Sequence, residues 1–179
     1  METEKFIPNG ILLIVGGHED KGRNNEWMGQ GEHRSEEILA SFVELTGKPE
    51  PVIEVVTTAS ADASASFDEY EKAFRGLGVK HPGHIHHDIR AEVLADNLTE
   101  RINKADAVYF AGGDQLKLTS VYGGTDFLFK LKKRYVSGGL IVGGTSAGAM
   151  AFSTPMIFAG NQEVQQIASE VRITTGSSS

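Results

Sequence analysis

Apolar positions fall into short continuous runs separated by stretches of helical spacing. Ile11-Leu-Leu-Ile-Val15 is an unbroken apolar run that ends at Gly16-Gly17, the pattern of a strand buried on both faces. His18 to Glu32 is polar, rich in Gly and Asn, and reads as a long loop. From Ser35, residues Ile38, Leu39, Phe42, Val43 and Thr46 recur at helical spacing until Gly47 and Pro49 stop the helix. Val52 to Val56 is a second strand, followed by a small polar run from Thr57 to Ala65. Ser66-Phe-Asp-Glu69 has the form of a capping box and opens a helix with Phe67, Tyr70, Phe74 and Leu77 on one face, closed by Gly78. His84 to Ile89 alternates as a third strand, and Leu94, Leu98 and Ile102, spaced by four, mark one helix. Ala107-Val-Tyr-Phe110 is a fourth strand, running into Ala111-Gly-Gly-Asp-Gln115. Phe127, Leu128, Leu131 and Tyr135 define a helix stopped by Gly138-Gly139, and Leu140 to Val142 is a fifth strand.

Strand and helix thus alternate five times. That order predicts an α/β fold: a doubly wound, mainly parallel sheet with helices on both faces and right-handed crossovers. Functional residues of such sheets gather at the carboxyl ends of the strands. Three pairs, Gly16-Gly17, Gly112-Gly113 and Gly143-Gly144, fall there and allow close backbone approach at one shared edge. The expected organisation is a single α/β domain over residues 1–179.

The fifth strand carries the sharpest chemical signal. Gly144-x-Ser146-x-Gly148 has the spacing of a nucleophile elbow, follows a strand-like run and precedes a helix-compatible one. A serine hydroxyl is raised above a sheet by a sharp strand-to-helix turn in a strained backbone region, and flanking glycines remove the Cβ atoms that would clash. Free N–H groups at the start of the next helix then face the oxygen on which negative charge develops. The competing reading is a Gly-rich turn with a surface serine.

Composition narrows the chemistry further. The charge of −7, from 17 basic and 24 acidic residues, argues against nucleic acid as the main partner and favours a cationic substrate, although solubility alone accounts for it. The absence of cysteine excludes disulfides, zinc–thiolate sites and thiol nucleophiles, and with them a cysteine-dependent glutamine amidotransferase. No apolar run reaches the length of a membrane span and the first ten residues are not a signal peptide, so no membrane partner and a cytoplasmic location are expected.

Val15-Gly-Gly-His-Glu-Asp-Lys21, Phe110-Ala-Gly-Gly-Asp-Gln115 and Gly144-Thr-Ser-Ala-Gly-Ala149 together resemble the cyanophycinase family, of the serine peptidase group that includes peptidase E. The resemblance runs from about Ile11 through Thr154-Pro-Met-Ile157. It implies metal-free, cofactor-free hydrolysis of β-linked aspartyl peptides, releasing β-Asp-Arg dipeptides from a cyanophycin-like polymer through an acyl-enzyme. Ser146 matches the nucleophile. Gln115 matches a residue that helps hold substrate, beside Asp114. Gly113, of the Gly112-Gly113 pair, and Ala147 would supply the oxyanion-hole N–H groups. A homodimer is left open. The sequence departs from the family after the elbow: no histidine follows Ser146, where the family carries its catalytic base. The expectation is a chain lacking its C-terminal part. The alternative is an inactive relative or fragment acting as a binding or assembly module.

Among the upstream histidines, His18 follows Gly17 at a strand end and is the candidate substitute base, against His33, His81, His84, His86 and His87. His84 and His86 would share one strand face with His87 opposite, as half-buried side chains or as part of a metal site. Gly16, Gly17 and Gly22 lack the dinucleotide-binding spacing. Glu19, Asp20 and Lys21 read as loop charges near the site. Asp114 reads equally as a helix cap or as a substrate ligand.

Overall fold

The computed structural model describes residues 8–16, 32–151, 156–160 and 171–174. Its centre is a five-stranded, wholly parallel sheet. In chain order the strands are β1 (Ile11–Val15), β2 (Ile53–Val56), β3 (Gly83–Ile85), β4 (Ala107–Phe110) and β5 (Ile141–Thr145), and their spatial order is β1-β5-β4-β2-β3. Helices α1 (Glu32–Glu44) and α2 (Ala63–Gly76) cover one face. The other carries α3 (Arg90–Ala95), α4 (Thr99–Lys104), α5 (Gln115–Tyr122), α6 (Asp126–Ser137) and α7 (Ala147–Met150). This is the expected doubly wound α/β architecture. Beyond it, β6 (Met156–Gly160) and β7 (Val171–Thr174) form a separate antiparallel pair. Among the described residues no helix is long and apolar enough to cross a membrane.

The two-residue period of the strands divides the core. Ile53, Val55, Ala107, Tyr109 and Ile141 pack with Leu39, Phe42, Tyr70 and Phe74 of α1 and α2. Val56, Val108, Phe110 and Val142 pack with Ile102, Leu118 and Leu131 on the opposite side. Tyr109 is the hub of the first layer, with its ring 5.1 Å from that of Phe42 and 5.3 Å from that of Tyr70. Gly143 of β5 lies beneath these rings. A Cβ there would stand 2.6 Å from Phe42 and 2.9 Å from Tyr109, so the aromatic layer itself requires glycine. This mid-strand glycine is therefore a packing residue.

Several local expectations change. β1 is an edge strand: Val15 is buried, but Ile14 is 60% exposed and Ile11 and Leu12 also reach solvent among the described residues. An apolar run reports a buried environment but not which strands will flank it. The third strand stops at Ile85 rather than Ile89. The Glu92 carboxylate accepts hydrogen bonds from the N–H groups of Asp88 (2.7 Å) and Ile89 (3.3 Å), which starts α3 where the alternation had suggested more strand. The single helix expected through Leu94, Leu98 and Ile102 is two short ones, because Asp96 is extended (φ −89°, ψ 136°). Val93 is buried in place of Leu94, which is 67% exposed. α2 begins before the Ser66 capping box: Asp62 is the cap, accepting from Ala65 N–H at 3.0 Å, and Ser66 lies buried in the first turns. β5 extends to Thr145, directly abutting the elbow.

Candidate active site at the carboxyl edge

Ser146 leaves β5 with φ 49° and ψ −112°, and among the described residues it is the only one other than glycine with positive φ. Such backbone costs about 1–3 kcal/mol and persists only where its surroundings over-determine it. Those surroundings are visible. The Ser146 N–H donates to the Val15 carbonyl of β1 at 3.0 Å, and its carbonyl accepts from Met150 N–H at 2.9 Å as α7 begins. α7 sits hard against β4: a Cβ on Gly148 would be 2.4 Å from the Phe110 carbonyl oxygen. The turn expected from Gly144-x-Ser146-x-Gly148 is present, with its strain.

The loop after β4 passes beside the serine. A Cβ on Gly112 would lie 3.4 Å from the Ser146 Cβ. Gly113 has φ +139°, and a Cβ there would come within 1.9 Å of the Ala59 carbonyl oxygen, so both conformation and space demand glycine. The Asp114 N–H donates to that same carbonyl at 2.8 Å. Asp114 then caps α5 by accepting from Leu116 N–H at 2.8 Å, and Gln115 opens the helix. Among the described residues no backbone acceptor takes the N–H of Gly113 or of Ala147.

A cleft of about 360 Å³ opens over the elbow. One wall is Ser60 to Asp62 with the first turns of α2, including Ser66, Glu69 and Tyr70; the other is Gly112, Gly113, Thr145 and Ser146. Its described lining holds two carboxylates, Asp62 and Glu69, and no basic side chain. The structure therefore brings Ser146 and Gly113 to one cavity, with Ala147 buried behind them, while Asp114 and Gln115 stand outside its lining. The α2 wall was not anticipated. Its signal was positional, because Thr57 to Ala65 follows the carboxyl end of β2, the neighbour of β4. A second hollow of about 250 Å³ between α5, α6 and the sheet is mostly aliphatic and aromatic and does not include Ser146.

His84, His86 and His87 lie elsewhere. β4 and β2 separate the strand that carries Ser146 from β3. His84 Nε2 and His86 Nδ1 both meet Thr57 Oγ1, at 2.7 and 3.3 Å, so they share a side as the alternation suggested. Phe67 stacks on His84 at 4.1 Å. Burial, then the neighbouring His86 and Arg101, hold the His84 pKa below its ordinary value. His87 faces away and is buried, bonded to Tyr122 and Asp96. None of these three lines the cleft, and no group of three or more metal-ligating side chains converges among the described residues. Gly17, His18, Glu19, Asp20, Lys21 and the His33 side chain lie outside the described residues.

Residues 28–173 match peptidase family S51. The chain is 30% identical over 167 residues to the cyanophycinase of Synechococcus elongatus, covering 93% of this chain and 48% of that protein. It is 28% identical over 152 residues to the cyanophycinase of Geminocystis herdmanii, covering 84% and 51%. The chain thus spans about half the length of the curated relatives it matches. In fold it is similar to a peptidase from an acI-B1 Actinobacterium, with a TM-score of 0.57 and 23% identity over 83% of this chain and 58% of that one.

Proposed function

The chain belongs to peptidase family S51, and from that premise we propose that it is a serine-type peptidase of cyanophycinase type, hydrolysing β-aspartyl (β-Asp-Arg) peptides through an acyl-enzyme on Ser146. The observation that carries the reading is the strained Ser146 backbone at the floor of a cleft, with the Gly112-Gly113 loop alongside. In this reading the Ser146 Oγ attacks the carbonyl carbon of the aspartyl main-chain peptide bond, leaving the side-chain β-Asp-Arg linkage intact, and passes its proton to a general base. The oxyanion is held by the Gly113 and Ala147 N–H groups, each worth about 2.7–4 kcal/mol of transition-state stabilisation. The C–N bond then breaks, the amine leaves with a proton, and water releases the acyl group by the reverse sequence. Gln115 holds substrate. Asp114 acts with it by fixing the start of α5, and the carboxylates of Asp62 and Glu69 suit a cationic substrate group. The base comes from outside the described residues; its assistance is worth about 10²–10⁴-fold.

The test is release of β-Asp-Arg from cyanophycin and from β-Asp-Arg oligomers, with Ser146→Ala alongside. Loss of release in the variant supports the serine mechanism, and release that survives it removes that mechanism. A second reading, a binding or assembly module that keeps the fold without the chemistry, is favoured by one observation: no described histidine lines the cleft. Saturable binding of the oligomers without turnover, in parent and Ser146→Ala alike, would select it.

A further inference from the structure

We infer that Tyr122, with His87 behind it, is a positioning residue that holds the Gly113 loop through a closed ring of hydrogen bonds running along α5. The inference rests on the serine-peptidase reading only for the catalytic role of Gly113; the ring itself is geometric.

The ring begins at two consecutive residues of the loop after β2. The Ala59 carbonyl accepts the N–H of Asp114 at 2.8 Å, which pins the front of α5. The Thr58 hydroxyl meets the Tyr122 hydroxyl at 2.7 Å, which pins its rear. α5 spans Gln115–Tyr122, a rigid rod of about 12 Å at 1.5 Å per residue. Its two ends are therefore tied to adjacent residues of another loop. That loop is itself closed by Ser60 N–H donating to the Thr57 carbonyl at 2.8 Å. Gly113 is inside the ring, immediately before Asp114 and pressed on the Ala59 carbonyl. A tilt of α5 or a shift of Ala59 would move the Gly113 N–H relative to Ser146.

His87 gives the ring a single proton order. Its Nε2 lies 3.2 Å from the Asp96 carboxylate, which only accepts, so the proton sits on Nε2. In the neutral imidazole Nδ1, 3.1 Å from the Tyr122 hydroxyl, then accepts from it. Tyr122 oxygen accepts from the Thr58 hydroxyl, and Thr58 oxygen accepts the His87 backbone N–H at 3.1 Å. Every donor in this relay from Asp96 to Thr58 has an acceptor. Thr58, His87 and Tyr122 are all buried, so an unpaired member would carry a full desolvation cost. Burial also holds the Tyr122 phenol well above its ordinary pKa, so it remains a donor.

The experiment is Tyr122→Phe in the whole chain, read by turnover of β-Asp-Arg oligomers and by site-resolved amide hydrogen exchange. We expect kcat to fall about tenfold, less than the about 10²–10³-fold typical of deleting an oxyanion donor, with KM within about twofold. The Asp114 N–H should exchange about tenfold faster, while amides in the middle of α6 keep the parent rate. Thr58→Val should repeat this and Thr58→Ser should restore the parent values, which separates loss of the hydroxyl from general unfolding. Unchanged Asp114 exchange in Tyr122→Phe overturns the ring, whatever the activity. A rise in KM with kcat intact overturns the role in the oxyanion hole. If hydrolysis survives Ser146→Ala, the peptidase reading fails on its own, and faster Asp114 exchange still supports the ring.

Discussion

Two regions at the carboxyl ends of the same sheet make a contrast. Around β4 and β5 the side chains are small, the backbone is strained at Ser146, and the N–H groups of Gly113 and Ala147 have no backbone acceptor among the described residues. Around β2 and β3 three histidines, two threonines and a tyrosine crowd together, yet their polar groups are engaged with Thr57, Tyr122, Asp88 or Asp96. Titratable side chains alone would mark the second region as the reactive one. Strain and N–H groups with no backbone acceptor among the described residues mark the first. A polar group whose bonds are all made is serving structure, whereas one held ready without a partner is available to a ligand.

The contrast can be broken or sharpened by substitution. The largest effect is expected at Ser146: Ser146→Gly should lower turnover by about 10⁴–10⁶-fold, as nucleophile loss does elsewhere. It should also raise stability in urea melts by about 1 kcal/mol, because glycine adopts positive φ without strain. A variant both inactive and no more stable would remove the strain argument. Next is Gly113→Ala, whose Cβ has no room beside Ala59. Displacing that loop should cost about 10²-fold in kcat, like loss of an oxyanion donor, and steady-state kinetics on β-Asp-Arg oligomers would check it. Gly143→Ala probes packing beneath Tyr109, away from the chemistry. Overpacking should destabilise by about 1–3 kcal/mol in denaturant titration, with residual activity in proportion to folded protein.

The smallest effect belongs to the histidine region. Burial holds the His84 pKa below its unfolded value of 6.5, so the unfolded chain binds the extra proton first. Stability from this group is therefore intact above pH 6.5 and is lost as pH falls from there toward the folded pKa. Melting temperatures between pH 7.5 and 5 should decline, and His84→Gln should flatten that decline while leaving kcat within about twofold. A large fall in kcat instead would reverse the comparison between the two regions.

Much of the fold was legible because its signals are local. The five strand positions, the face of α2 carrying Tyr70 and Phe74, and the turn at Ser146 all follow from periodicity and turn sterics over a few residues. Local competition caused the misreadings. Asp62 caps α2 before Ser66 can, Glu92 starts α3 within the expected strand, and an extended Asp96 divides what spacing by four had joined. At Asp62 one cap pre-empted another, and at Glu92 and Asp96 a polar side chain or one backbone conformation outweighed a hydrophobic pattern. Of the candidate site, Ser146 and the Gly112-Gly113 pair were legible, whereas the wall built from Ser60, Ser66 and Glu69 was not.

The sequence by itself determined the alternation of strand and helix, the elbow, and the glycines Gly112, Gly113 and Gly148 that let neighbouring chain segments press close. Tertiary structure decided the order β1-β5-β4-β2-β3, and with it the exposure of Ile14, the separation of His84, His86 and His87 from Ser146, and the meeting of Thr58 with Tyr122 across 64 residues. The reason is range. Backbone sterics and side-chain periodicity act within a turn or two, while strand neighbours are chosen by which crossovers bury both faces of the whole sheet at once.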